Sequence, residues 1–420
     1  MSYFLMTIWH GGGSTPPLMS VARSLVSRGH EVRVLADAIL EDEVRAAGAA
    51  HVPWTNAPQR TRPDLADDHI RDWEPTDPLE EFGRMRDRLS VGPAGAYAHD
   101  VRAEIEVRRP AAVLTEALLM GPLLAGEATG VPVVALSSTI NMAPTPGVPP
   151  FGPGFLPATT DAERELHAQV AEQNLAAWNV ALPVLNAARE EHGLGPLGHV
   201  LEQFTAAARV LILSSAAFDF PGELPPVVKH VGPRLDDVAW AEPWTPPPGD
   251  DPLVLVALSS EFQDQADVLR RIVDGLRDLP VRGLVTTGRG VDPAEVAAPD
   301  HVQVRRSAPH SAVLPHAAAV VTHGGHGTVL KSLAAGVPLV CLPMGRDQHD
   351  IAARLEHSGA GIRLPASAAA ASVGDAVRSV LDDPAYRAAA GRLAAAIAEE
   401  TATDRAVAEI EALVGATVPA

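Results

Sequence analysis

The residues best equipped for chemistry lie in one run, His323-Gly324-Gly325-His326-Gly327-Thr328, with Asp347-Gln348 nineteen residues after Thr328. A glycine-rich turn from a strand into a helix leaves several backbone N–H groups unpaired and pointing one way, and the helix dipole adds partial positive charge there. Such a place suits a phosphate. Two glycines let the backbone come close to the ligand, and Thr328 adds a hydroxyl. A carboxylate beside an amide, as in Asp347-Gln348, suits neighbouring sugar hydroxyls. An isolated Gly-Gly-x-Gly would be no more than a tight turn. With the histidines, the threonine and the downstream Asp-Gln, the run points to a sugar joined to a diphosphate.

The elements that must position these residues can be read on either side of them. Residues 318–322 and 338–342 are apolar runs of strand length, 328–335 has helix-forming composition, and Gly336-Val337-Pro338 stops that helix. Asp347 and Gln348 thus fall just past a strand, at the carboxyl edge where open α/β sheets bind ligands. Runs at 253–258, 281–286 and 301–304 continue the alternation, and Ser259-Ser260 follow the first of them at the same edge. The first half repeats the pattern: a strand at 3–9, a helix at 17–28 ended by Gly29, a strand at 31–35, and short strands at 111–114, 132–136 and 209–213. Strands alternating with helices imply α/β architecture with parallel sheets covered on both faces. Residues 233–252 carry Trp240, Trp244 and six prolines, a semi-rigid linker composition. The expected division is a first domain at 1–232, a linker at 233–252, a second domain at 253–385 and a helical tail at 386–420.

A chain of 420 residues fits two domains, and 46% hydrophobic with 20% charged residues is the composition of a folded protein. The net charge of −19 argues against nucleic acid or an anionic membrane surface as partner. An anionic ligand must therefore be held by local amides and histidines. The single cysteine, Cys341, excludes an intramolecular disulfide and suits the cytoplasm. The first nine residues lack a basic leader and read as a strand, and no apolar run is long enough to span a membrane. The absence of any Asp-x-Asp pair points to metal-free chemistry, with no cofactor beyond the co-substrate.

The segment from Ser307 to Leu355 resembles the donor-binding signature of family 1 glycosyltransferases of the GT-B fold, closest to actinobacterial enzymes that decorate antibiotics and lipids. Gly11 to Pro17 and Arg28-Gly29-His30 extend the likeness over nearly the whole chain. The resemblance implies two Rossmann-like domains facing a central cleft, the first binding the acceptor and the second the nucleotide sugar, with the last helix crossing back to the first domain. It also implies inverting transfer of a sugar from a thymidine or uridine diphosphate sugar to a hydroxyl of a lipophilic acceptor, by a monomer or homodimer. The donor set is Ser259, Ser260, Ala308, His323, Gly324, Gly325, Gly327, Thr328, Asp347 and Gln348, with Ala308 at the position whose backbone meets the nucleobase. The aromatic residue that often precedes it is Ser307 here. Lys331 replaces a ribose-binding glutamate, leaning toward phosphate or facing solvent.

For the proton acceptor, relatives carry His or Asp three residues before the proline that opens the first helix, which falls on Ser14. His10 has a more suitable pKa on the same glycine-rich loop and could act directly or through Ser14. Glu116 matches the acidic partner that orients the base. Two stretches interrupt the α/β alternation, 54–95 and 141–157, and a helical sequence with Pro183 inside it follows. Trp73, Phe82, Met142, Phe151, Phe155 and Trp178 from these regions are expected to line an apolar acceptor cleft. Competing readings are a sugar-nucleotide epimerase on the same fold and a non-catalytic donor-binding partner protein.

Overall fold

The computed structural model describes residues 1–75, 77–238 and 240–417. Two all-parallel sheets organise it. The first has seven strands in the order β3-β2-β1-β4-β5-β6-β7, where β1 is Tyr3–Thr7, β2 Glu31–Ala36, β3 Ala50–Pro53, β4 Ala112–Glu116, β5 Val133–Ser137, β6 Ala207–Ile212 and β7 Val228–His230. The second has six in the order β10-β9-β8-β11-β12-β13, with β8 Leu253–Ala257, β9 Arg282–Thr286, β10 Val302–Arg305, β11 Ala317–Thr322, β12 Leu339–Cys341 and β13 Gly361–Arg363.

Both sheets are buried on both faces. Along β1, Leu5 enters one core cluster while Phe4 and Met6 enter another; along β8, Leu253 and Leu255 face one cluster and Val254 and Val256 the other. That alternation is why these strands read as continuous apolar runs. The short edge strands β3, β7 and β13 escaped the sequence reading, because three or four residues with mixed polarity carry no period.

Among the described residues no regular element separates β7 from β8, but this connection is anchored. Trp244 is buried in the second domain's core, and Ser307 Oγ donates to the Trp240 carbonyl and accepts from the Glu242 amide. The helical tail is two helices rather than one, Pro384–Thr401 and Arg405–Thr417. Asp404 breaks it: its carboxylate accepts the Val407 amide at 3.1 Å and pairs with Arg234. Ala406, Val407 and Ile410 then pack with Phe4, Met6 and Leu18 of the first domain, and Glu411 binds Arg28 and His30. Pro183 divides the helical stretch into Asp161–Asn179 and Leu182–Glu191. Among the described residues no helix is long and apolar enough to cross a membrane.

Candidate functional site

The glycine-rich run connects β11 to the helix His326–Ala334. Gly324 has φ +94°, and a Cβ there would lie 2.7 Å from Cys341 Sγ. Only glycine makes this turn without strain. Gly325 caps the helix and brings no side chain of its own to bond the first amides. His323 is buried, and desolvation followed by the Arg346 charge holds its imidazole down at about 3, so the ring is neutral. His326 is buried too, held near 4 by burial, and its Nε2 lies 2.9 Å from Ser214 Oγ of the first domain.

The Asp-Gln pair begins the helix Gln348–Ser358, after β12. Asp347 accepts a hydrogen bond from Thr139 across the cleft, and burial raises its pKa. Gln348 Oε1 takes the Met344 amide at 2.8 Å, while Nε2 donates to Gln263 at 3.1 Å. Gln348 thereby shapes the preceding loop. Within that loop Arg346, at φ +55°, binds Asp72 through Nε at 2.5 Å and Nη2 at 3.0 Å, and its amide donates to Glu81. Ser259 Oγ accepts the Glu261 amide at 3.3 Å, Ser260 follows it at the end of β8, and Ala308 is buried in the same core. Gly327 and Thr328 lie in the first turn of the His326 helix, where a Cβ on Gly327 would meet nothing. Lys331 pairs with Asp237 at 3.8 Å, so it is neither free for phosphate nor facing solvent.

Facing this edge is the loop after β1. A cavity of about 270 Å³ is bounded by His10, Ile39, Arg60 and Leu65 on one side and Glu261, Phe262 and Arg289 on the other. A smaller one of about 20 Å³ adjoins it and reaches Trp9, Asp72, Trp73 and Arg346. The two walls touch: a Cβ on Gly12 would come within 2.5 Å of Glu261 Cγ, and Trp73 meets Phe262 edge-on at 5.4 Å.

His10 donates its amide to Asp37 at 2.7 Å, and its ring Nδ1 lies 3.2 Å from Arg60 Nη1. Burial, partly opposed by Glu261, lowers its pKa. Glu116 does not orient this ring. Its carboxylate takes the Trp9 indole N–H at 3.3 Å and the Leu118 amide at 2.8 Å, and burial raises it to about 7. It therefore steadies the residue before His10. Ser14 Oγ is buried beside Gly11 with no hydrogen-bond partner.

Of the six residues expected to line an acceptor cleft, Trp73 borders the smaller cavity. Phe82 and Trp178 stack edge-on with each other at 4.9 Å, Phe155 stacks on His167, and Phe151 packs against the second domain's core. Met142 is half-buried in the connection after β5. Arg60, Glu261, Phe262 and Arg289 were missed, since each is an ordinary polar or aromatic residue with no local pattern. Only the placement of residues 261 and 262 just after the Ser259-Ser260 strand end hinted at the site.

Residues 271–413 match the family described as Erythromycin biosynthesis protein CIII-like, C-terminal domain. Over 425 aligned residues the chain is 30% identical to 4'-demethylrebeccamycin synthase of Lentzea aerocolonigenes, covering 96% of this chain and 97% of that one. It is 28% identical to the oleandomycin glycosyltransferase of Streptomyces antibioticus over 95% of this chain and 88% of the relative. The structure superposes on the calicheamicin glycosyltransferase CalG4 with TM-score 0.79 at 23% identity, covering all of both chains. It likewise superposes on the glycotransferase of kitacinnamycin with TM-score 0.78 at 24% identity, covering 98% of each. These relatives set aside the epimerase and the non-catalytic scaffold: the chain belongs to the GT-B glycosyltransferases of antibiotic and natural-product biosynthesis, and transfers a sugar to an acceptor.

Proposed function

We propose that this enzyme transfers a sugar from a thymidine or uridine diphosphate donor to the hydroxyl of a lipophilic small molecule, with inversion and without a metal ion. The observation that carries this reading is a cavity with His10 and Arg60 on one wall and Glu261, Phe262 and Arg289, from the carboxyl edge of the second sheet, on the other; the glycine-capped start of the His326 helix follows β11 at that same edge. The diphosphate sits against the amides at the start of the His326 helix, with the neutral His323 ring as a further polar neighbour, and Asp347 takes sugar hydroxyls. Their preorganised N–H groups stabilise the charge that builds on the departing diphosphate.

The acceptor enters the cavity beside His10, against Ile39, Leu65 and Phe262. His10 Nδ1 takes the acceptor proton while the oxygen attacks the anomeric carbon from the face opposite the diphosphate. The lone pair that now receives the Arg60 N–H is the one an acceptor hydroxyl would use. Metal independence is supported by the lack of Asp-x-Asp and, among the described residues, of any group of three or more potential ligands. Mixing the protein with TDP-glucose or UDP-glucose and following nucleotide release, with and without a panel of phenols and alcohols, tests the proposal. Acceptor-dependent release giving a product of opposite anomeric configuration is expected; release with retained configuration would refute the single displacement.

A further inference from the structure

The His10 ring has a guanidinium, not a carboxylate, as its hydrogen-bonding neighbour. Arginine only donates, so Nδ1 accepts and the neutral ring carries its hydrogen on Nε2. Arg60 is itself buried and fixed from several sides. Glu261 Oε2 lies 3.4 Å and Asp68 Oδ2 3.6 Å from Nη1, and Nη2 donates to the Pro63 carbonyl at 3.1 Å. Its backbone amide shares the Asp37 carboxylate with that of His10, so imidazole and guanidinium hang from one anchor. Both side chains border the larger cavity.

We propose that Arg60 activates the acceptor: the acceptor hydroxyl inserts between Arg60 Nη1 and His10 Nδ1, taking a hydrogen bond from the guanidinium and giving its own to the imidazole. This rests on the reading of His10 as proton acceptor. Two hydrogen bonds of about 2.8 Å meeting at one oxygen span roughly 4.5 Å, so the two groups must part by a little over about 1 Å. In the transfer the O–H bond breaks and its proton goes to Nδ1. The oxygen forms the bond to the anomeric carbon, and the diphosphate leaves with the electron pair of the bond it held. A fixed cation at the reacting oxygen lowers the cost of the charge that develops there. Glu261 and Asp68, beyond Arg60, offset the imidazolium and guanidinium that then stand side by side. Because Glu261 comes from the donor domain, the cation is fully held only when the two walls meet.

The groups facing His10 are Glu261, Arg60, Arg289 and Asp68, with Asp37 at its amide. Removing the Arg60 charge alone should therefore make the imidazole easier to protonate. The test uses Arg60→Met and Arg60→Lys with TDP-glucose or UDP-glucose and two acceptors of one shape, 2-naphthol and 2-naphthalenemethanol. In Arg60→Met, transfer to the alcohol should fall about 10²-fold, as for a lost donor to a developing oxyanion. Transfer to the more acidic phenol should fall less than about fivefold, and Arg60→Lys should recover part of the loss.

Independently of turnover, the His10 ¹³Cε1 resonance, assigned by its absence in His10→Ala, should titrate at higher pH in Arg60→Met than in the wild type. Equal losses for the two acceptors, or an unmoved His10 titration in a variant that still binds TDP-glucose, would overturn the role of Arg60. A wild-type protein that binds neither nucleotide sugar would instead refute the donor-site reading.

Discussion

On the wall proposed to bind the donor, the residues from His323 to Gln348 lie within 26 positions of one another, and most of what they offer a ligand is backbone. Around His10, the neighbours come from positions 37, 60 and 68 of the first domain and 261 and 289 of the second, and what they offer is side-chain charge. The first kind of site is encoded by a turn: Gly324 at φ +94°, a helix start and a strand end suffice. The second is assembled by the whole fold. In the proposed reaction this contrast separates the parts that hold the donor from those that meet the acceptor. Substitutions on the two walls should accordingly fail in different ways.

The largest effect belongs to the acceptor wall. His10→Ala is expected to lower turnover with an alcohol acceptor by about 10²–10⁴-fold, the usual contribution of a positioned base. Donor affinity should stay within about twofold, since no donor contact is removed. The pH profile sharpens the assignment. Burial places the His10 pKa below its ordinary value, so the proton-accepting form should already dominate near neutrality. Activity should fall only as pH drops through that lowered value. This acid limb should vanish from the residual activity of His10→Ala, and its persistence would move the base elsewhere.

On the donor wall, Gly324→Ala forces a side chain into a left-handed conformation and against Cys341, at a cost of about 1–3 kcal/mol from the backbone alone. Nucleotide binding measured by calorimetry should weaken about 10-fold or more, the equivalent of about 1.4 kcal/mol. Asp347→Ala should be milder and selective. TDP-glucose or UDP-glucose should lose about 10-fold in affinity while the free diphosphate binds nearly as before, about the value of one charge-assisted hydrogen bond. Equal loss for both ligands would show that Asp347 does not read the sugar. The smallest expected change comes from chelation, which should leave turnover within about twofold, well under 1 kcal/mol. A steep loss restored by magnesium would contradict the metal-free mechanism.

Legibility in the sequence follows the same division. The β11–turn–helix unit, the Asp347-Gln348 edge and the alternating sheets could be read because each rests on local periods and on glycine and proline punctuation. The resemblance assigns Glu116 to orienting the base, yet its carboxylate takes the Trp9 indole N–H, since no sequence pattern says whether a carboxylate will face an indole or an imidazole. Ser14 was singled out by its distance from a proline, yet its hydroxyl turns to Gly11. The aromatic residues of 54–95 and 141–178 were grouped by composition. The chain instead spends Phe82 and Trp178 on each other and Trp54 on the core, where its indole N–H donates to the Ile8 carbonyl. Arg60 and Glu261, 201 positions apart, met only through the packing of the two domains.

The proposed division of labour places donor binding at the glycine-rich helix start and proton transfer at His10. It is tested most directly by titrating TDP-glucose and UDP-glucose calorimetrically into His10→Ala and Gly324→Ala, alongside their acceptor-dependent turnover. His10→Ala should bind the preferred donor as the wild type does and scarcely turn over, while Gly324→Ala should lose donor affinity. Donor binding lost in His10→Ala, or kept intact in Gly324→Ala, would contradict it.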